Sequence, residues 1–122
     1  MILDDENNLI EKSSDNWVVF KTILYNLYYG ENDKKLYENY LNNFLDRNCG
    51  DRNYDYNYYY GNGSGYIHIS KKNRVLSSIA FDSYDTLFKI DIIFFTNNFD
   101  NKDEVNLFID KLNINKKKYK IY

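Results

Sequence analysis

Few side chains in this sequence have the chemistry to make or break a bond, and their spacing decides what they can do. The single histidine, His68, sits in Tyr66-Ile67-His68-Ile69-Ser70 and shares a strand face with Tyr66 and Ser70. There it can act as a general acid or base only against a carboxylate; Asp55 and Asp82 are the candidates, and no local motif ties it to either. The single cysteine, Cys49, closes a helical pattern with no histidine beside it in sequence, so it reads as a buried or idle thiol rather than a nucleophile. One cysteine also excludes an intramolecular disulfide and a cysteine-rich zinc site. Asp82 and Asp85 fall in a turn, where aspartate serves the backbone. Gly61-Asn62-Gly63-Ser64-Gly65 lies between two strand patterns and lacks the Lys-Ser/Thr of a phosphate loop, so it reads as a hairpin loop. No convergent His, Cys or carboxylate set is spaced for a metal. The expectation is a chain without catalytic residues, metal or cofactor.

Composition bounds the rest. The 122 residues, 43% hydrophobic and 28% charged, suit one globular domain over 1–122. Residues 1–12 read either as a frayed helical turn around Leu3, Leu9 and Ile10 or as loose chain. No apolar run approaches the roughly 18 residues of a membrane span. The acidic start Met1-Ile2-Leu3-Asp4-Asp5-Glu6 lacks the layout of a signal peptide, so a cytoplasmic location is expected. Asn, Tyr, Lys and Ile supply 58 of the 122 residues, against one Ala, three Arg and no Pro or Gln. All four are served by A- and T-rich codons, so this bias reflects the genome more than the function. The net charge of −2 divides unevenly: residues 1–60 carry 11 acidic and 6 basic side chains, residues 61–122 carry 7 and 10. An acidic first half favours a basic partner over nucleic acid, unless it is ordinary solvated surface.

Periodicity supplies the elements. Ser13-Ser14-Asp15 offers helix caps before Trp17, and Phe20, Ile23, Leu24, Leu27 and Tyr28 recur at helical spacing up to Gly30. A second helix, capped by Asn32 or Asp33, carries the stripe Leu36, Tyr37, Tyr40, Leu41, Phe44 and Leu45 and ends at Asn48-Cys49-Gly50. Four strand patterns follow at 54–60, 66–70, 75–81 and 87–96, joined by short polar turns as an antiparallel meander. In the last of these, Phe88, Ile90, Ile92 and Phe94 form a continuous apolar face, the mark of an inner strand on which the molecule is centred. Asn97–Asn101 opens a third helix with Asp103 and Glu104 in its first turn and Val105, Phe108, Ile109 and Leu112 as its buried stripe. Lys116–Tyr122 reads as a fifth, edge strand guarded by lysines. The expected class is α+β, in the order α-α-β-β-β-β-α-β: a mostly antiparallel sheet of four to five strands with helices packed on it.

The stretch Tyr54-Asp55-Tyr56-Asn57-Tyr58-Tyr59-Tyr60 alternates: four tyrosines share one face, and Asp55, Asn57 and Tyr59 share the other. Two readings stand here. The four-tyrosine face is buried on the helices, or it is an exposed aromatic platform of the kind that dominates binding energy at protein interfaces. A small, acidic-leaning, tyrosine-rich α+β chain resembles the immunity proteins of bacterial toxin systems, including contact-dependent growth inhibition. The resemblance is carried by the tyrosines of 54–60, the acidic loops and the absence of chemistry, over the whole chain and without a motif. It implies a non-catalytic inhibitor that binds one cognate toxin domain, often a basic nuclease, and blocks its active site. The implied partner-binding residues are Asp46, Asp51, Asp55, Tyr56, Tyr58, Tyr59, Asp82, Tyr84 and Asp85, with acidic groups steering and aromatic anchors slowing release. A phage-encoded inhibitor of a host defence complex would look the same in sequence. A nucleic-acid binder would use Lys71, Lys72, Arg74 and Lys116–Lys118, but three arginines and an acidic balance speak against it.

Overall fold

A computed structural model describes residues 15–30, 32–51, 53–61, 64–82 and 90–122, without the side chains of Ser64 and Asp82. The elements are α1 (Asn16–Tyr29), α2 (Lys34–Cys49), β1 (Asp55–Tyr60), β2 (Ser64–Lys71), β3 (Arg74–Asp82), β4 (Ile90–Phe94), α3 (Lys102–Lys111) and β5 (Tyr119–Ile121). The α+β class and the order α-α-β-β-β-β-α-β are those expected from periodicity. Residues 1–12, Leu87–Lys89 of the anticipated central strand, and the turn through Tyr84 and Asp85 lie outside the described residues.

Local chemistry sets the helix ends. Asp15 is the N-cap of α1, its Oδ1 accepting from the Trp17 N–H at 3.0 Å. Asp33 occupies the N-cap position of α2 without a side-chain cap bond, and Gly50 ends that helix in the left-handed region at φ 75°. The third helix starts later than its asparagine run suggested. Thr96–Asn98 forms a separate 3-10 turn, and Asn101 caps α3 by accepting from the Asp103 N–H at 2.8 Å.

The five strands lie in the order β1-β2-β3-β4-β5, antiparallel through β4; β5 returns through α3 to run parallel to β4. The helices cover one face of this sheet. Ile67 and Ile69, Ile79 and Phe81, and Ile90, Ile92 and Phe94 are buried beneath them, whereas Tyr66, Ala80 and Asp91 between them are exposed. Phe20 from α1 joins the helices, its ring 6.3 Å from Phe44 of α2 and 6.3 Å from Phe108 of α3, and Phe108 reaches the sheet at Phe94, 5.7 Å away. β4 is an inner strand as its pattern implied, although β3 holds the middle of the order. Leu36 departs from its expected stripe: it is exposed, because α2 turns Tyr37, Leu41, Phe44 and Leu45 inward and Leu36 lies off that arc.

Two irregularities shape the sheet. Ile69 pairs with Ser77 but Ser70 with Val75, so Leu76 is an extra residue, and both Leu76 and Ser77 finish buried. The β2–β3 hairpin then closes through Lys72 and Asn73, both at positive φ (55° and 63°), the conformation that follows the right-handed strand twist. At the other end of β2, Gly65 lets α1 approach. A Cβ there would stand 1.8 Å from the Tyr28 hydroxyl and 2.4 Å from the Tyr59 carbonyl oxygen. Because backbone cannot yield as a flexible side chain can, Gly65→Ala is expected to destabilise the protein by about 2–4 kcal/mol. Gly50→Ala has open space around it and suffers only the left-handed backbone, so it should cost about 1 kcal/mol. Urea denaturation of both variants checks the ranking.

Candidate protein-binding surface

Alternation along β1 sorts its side chains between two environments. The even tyrosines face the helices: the Tyr56 hydroxyl donates to Asn42 Oδ1 at 2.7 Å, Tyr58 to Glu38 Oε2, and Tyr60 to the Tyr28 carbonyl oxygen at 3.3 Å. The Tyr54 ring meets Phe108 edge-on at 6.4 Å. Lys34 completes this layer. Its Nζ donates to the Leu27 and Tyr28 carbonyl oxygens at 2.9 and 3.3 Å and lies 4.5 Å from the Tyr58 ring centroid, a capping lysine and a cation–π contact in one group. Asp55, Asn57 and Tyr59 point the other way, onto the sheet face that carries no helix.

That open face reads in rows across the strands. One row holds Tyr59, Tyr66, Ala80 and Asp91; the next holds Asn57, His68, Ser78, Ile93 and Lys120. Tyr59, Tyr66 and His68 form a cluster, with ring centroids 5.2 Å apart between the tyrosines, 4.8 Å from Tyr59 to His68 and 5.1 Å from Tyr66 to His68, the last pair stacked at 18°. Tyr59 and Tyr66 remain 45% and 41% exposed. The short side chains of Ser78 and Ala80 leave a shallow step beside the rings, and two exposed carboxylates, Asp55 and Asp91, share the face.

The sequence-based candidates therefore do not form one surface. Asp55 and Tyr59 lie on the open face, whereas Tyr56 and Tyr58 lie on the opposite side with their hydroxyls bonded to α2. Asp46 is half-buried on α2. Asp51 is tied to the Lys71 ammonium and accepts from the Asn53 N–H at 2.9 Å. Asp82 ends β3 opposite Ser64, its side chain undescribed, and Tyr84 and Asp85 lie outside the described residues. Tyr66 and His68, which join Tyr59 on this face, were not among those candidates. The signal for them is the hairpin register, which sets Tyr59 opposite Tyr66 and Asn57 opposite His68 once Tyr60 pairs with Gly65. Comparison with protein-family models, curated proteins and solved structures gives no match.

The groups whose side chains could do chemistry, His68 and Cys49, lie apart in the fold. Burial lowers the His68 pKa below its ordinary value, its neighbours are the Tyr59 and Tyr66 rings, and among the described residues no carboxylate hydrogen-bonds to it. Cys49 borders a cleft of about 470 Å³ at the opposite end of β1, together with Tyr54, Leu76 and Phe108. Burial pushes its thiol up to about 11, so thiolate is scarce at neutral pH. No group of three or more His, Cys, Asp or Glu among the described residues is placed to hold a metal. The basic residues are dispersed: Lys72 and Arg74 flank the hairpin beyond the Phe94 end of β4, whereas Lys116–Lys118 precede β5 at its Ile90 end.

The tyrosines give this arrangement a pH signature. Burial, chiefly, raises the phenol pKa of Tyr28, Tyr54, Tyr56 and Tyr58, with the Glu38 hydrogen bond adding to the rise at Tyr58. The unfolded chain releases these protons near pH ~10 while the native chain retains them, so stability is full below that pH and falls as pH rises above it. The urea midpoint should decline between about pH 9.5 and 11, and Tyr58→Phe should make the decline shallower. An unchanged slope in that variant would contradict the burial of Tyr58.

Proposed function

We propose that this chain is a non-catalytic protein-binding inhibitor of the immunity type, which holds a basic toxin domain, of nuclease kind, against the open face of its sheet and so covers the toxin's active site. The observation that carries the reading is the exposed Tyr59–Tyr66–His68 cluster on a sheet face that bears, among the described residues, two carboxylates and a single lysine, Lys120, on its far strand. Rigid rings with polar tips supply contact area at low entropic cost and concentrate binding energy. Asp55 and Asp91 attract a basic protein surface and repel the phosphates that an aromatic platform would otherwise stack beside. A protonated thiol and phenols bonded to the helices fit a protein whose task is affinity rather than turnover. A cytoplasmic site of action belongs to the same reading; among the described residues no helix is long and apolar enough to cross a membrane.

The test is affinity capture from the native cells with the wild-type chain and a Tyr59→Ala/Tyr66→Ala variant in parallel. One stoichiometric protein should be retained by the wild type and lost by the variant, and co-expression should neutralise that protein's toxicity. With the captured domain in hand, each single tyrosine truncation should weaken binding by about 2 kcal/mol, roughly thirtyfold, while Tyr56→Phe should leave affinity within about threefold. Nucleic acid in place of protein, or losses below about 0.5 kcal/mol at both tyrosines, would overturn the reading.

A further inference from the structure

The two edges of the sheet are unequally protected. β5 spans only three residues, follows the Lys116–Lys118 turn and carries Lys120, the devices by which an edge repels stray strands. β1 spans six residues in unbroken register from the Asp55–Ser70 pair to the Tyr60–Gly65 pair. It contains no lysine, proline or bulge. Among the described residues its backbone hydrogen bonds run to β2 alone, so its outer N–H and C=O groups face away unpaired. It is also already ordered, because Tyr56, Tyr58 and Tyr60 are fixed to the helices through their hydroxyls.

We infer that β1 is a self-association edge, on which a second copy of this chain pairs antiparallel through its own β1, centred on Asn57. Three physical points select a second copy in this alignment. A flexible peptide loses conformational entropy when it adds to an edge, whereas two pre-ordered strands lose little. The strand holds one charge, Asp55, near its start. Parallel pairing would set the two Asp55 carboxylates side by side, where like charges repel. Antiparallel pairing about Asn57 carries them to opposite ends, about 14 Å apart along the strands and beyond the ~8 Å screening length of physiological salt. Each Asp55 then faces Tyr59 of the partner subunit, whose hydroxyl can donate to it. On the axis, Asn57 meets its own counterpart, and a primary amide is both donor and acceptor for an identical amide. Because residues of like parity face each other, the open faces of both copies lie on one side. The two Tyr59–Tyr66–His68 clusters thereby join into a single surface on a ten-stranded sheet.

The experiment needs only the purified chain and therefore reads independently of any toxin partner. Sedimentation equilibrium over increasing concentration should show a monomer–dimer equilibrium with a dissociation constant of roughly 10 to 100 μM, as suits a small interface. Asn57→Lys and Asn57→Asp each place like charges face to face across the axis and should weaken the dimer about fivefold; Asn57 is exposed, so circular dichroism should report an unchanged fold. Mixing the two variants should restore association to at least wild-type strength, since the axial pair is then lysine against aspartate. A chain monomeric to about 1 mM, a dimer indifferent to both substitutions, or a mixture no tighter than either variant alone would overturn the inference.

Discussion

A tyrosine can be packed beneath a helix only if its hydroxyl finds a partner there, since an unmet buried donor costs about 1–3 kcal/mol. β1 meets that condition at successive even positions, through Asn42, Glu38 and the Tyr28 carbonyl. Side chains alternate along a strand, so fixing the even residues to the helices obliges Asp55, Asn57 and Tyr59 to take the other face. A slip of one residue would turn Asp55 toward Glu38 and expose the partly buried rings of Tyr54, Tyr56 and Tyr58, a combination of charge repulsion and lost burial that disfavours it. The content of the open face follows from this one alignment. Lys34 reinforces it by joining the last carbonyls of α1 to the rings of Tyr58 and Tyr60, so both helices and the edge strand meet at one ammonium.

The same alignment gives the open face a rigid support. Tyr28 stacks on Phe81 with ring centroids 4.3 Å apart and planes within 8°, and its hydroxyl lies over Gly65. Only a residue without a Cβ lets a helix settle this close to the first residues of β2, and the next residue is Tyr66. The ring that faces solvent is therefore one position along the chain from a point where backbone and helix are in close contact. Side chains held this way would lose little freedom on contact with a partner.

Periodicity made the elements readable because each buried stripe is local: α1 from Phe20 to Tyr28, α3 from Val105 to Leu112, and the apolar face of Ile90, Ile92 and Phe94 all reveal themselves within a few residues. The site was only half legible for a related reason. The two-faced pattern of 54–60 was visible, but which face met the helices depends on Asn42 and Glu38, a dozen or more residues away, and nothing in the local pattern encodes that. Choosing Tyr56 and Tyr58 beside Tyr59 as partners mixed the two faces. His68 was noted as a possible acid or base, yet its neighbours in space are Tyr59 and Tyr66, fixed by hairpin register rather than by a motif. Leu36 fitted the i, i+4 rows of α2 and still emerged exposed, because the apolar rows of that helix are wider than the arc it buries.

On the proposed reading, a surface of this kind would select partners through the mismatch between its apolar and charged parts. The rings offer area that any flat apolar or planar group can use, and alone they would discriminate poorly. Asp55 and Asp91 stand in different rows and at different strands, one near the β1 edge and one beyond Ala80, so a partner broad enough to cover both as well as the rings would have to bring positive charge to two separated points or leave a carboxylate desolvated and unpaired. The second outcome costs more than either ring contact returns. Under that reading specificity would rest on the spacing between the two carboxylates, which the register of β1 on β2 and of β3 on β4 sets, and the facing of β1 traces back to the tyrosine hydroxyls seated on the helices.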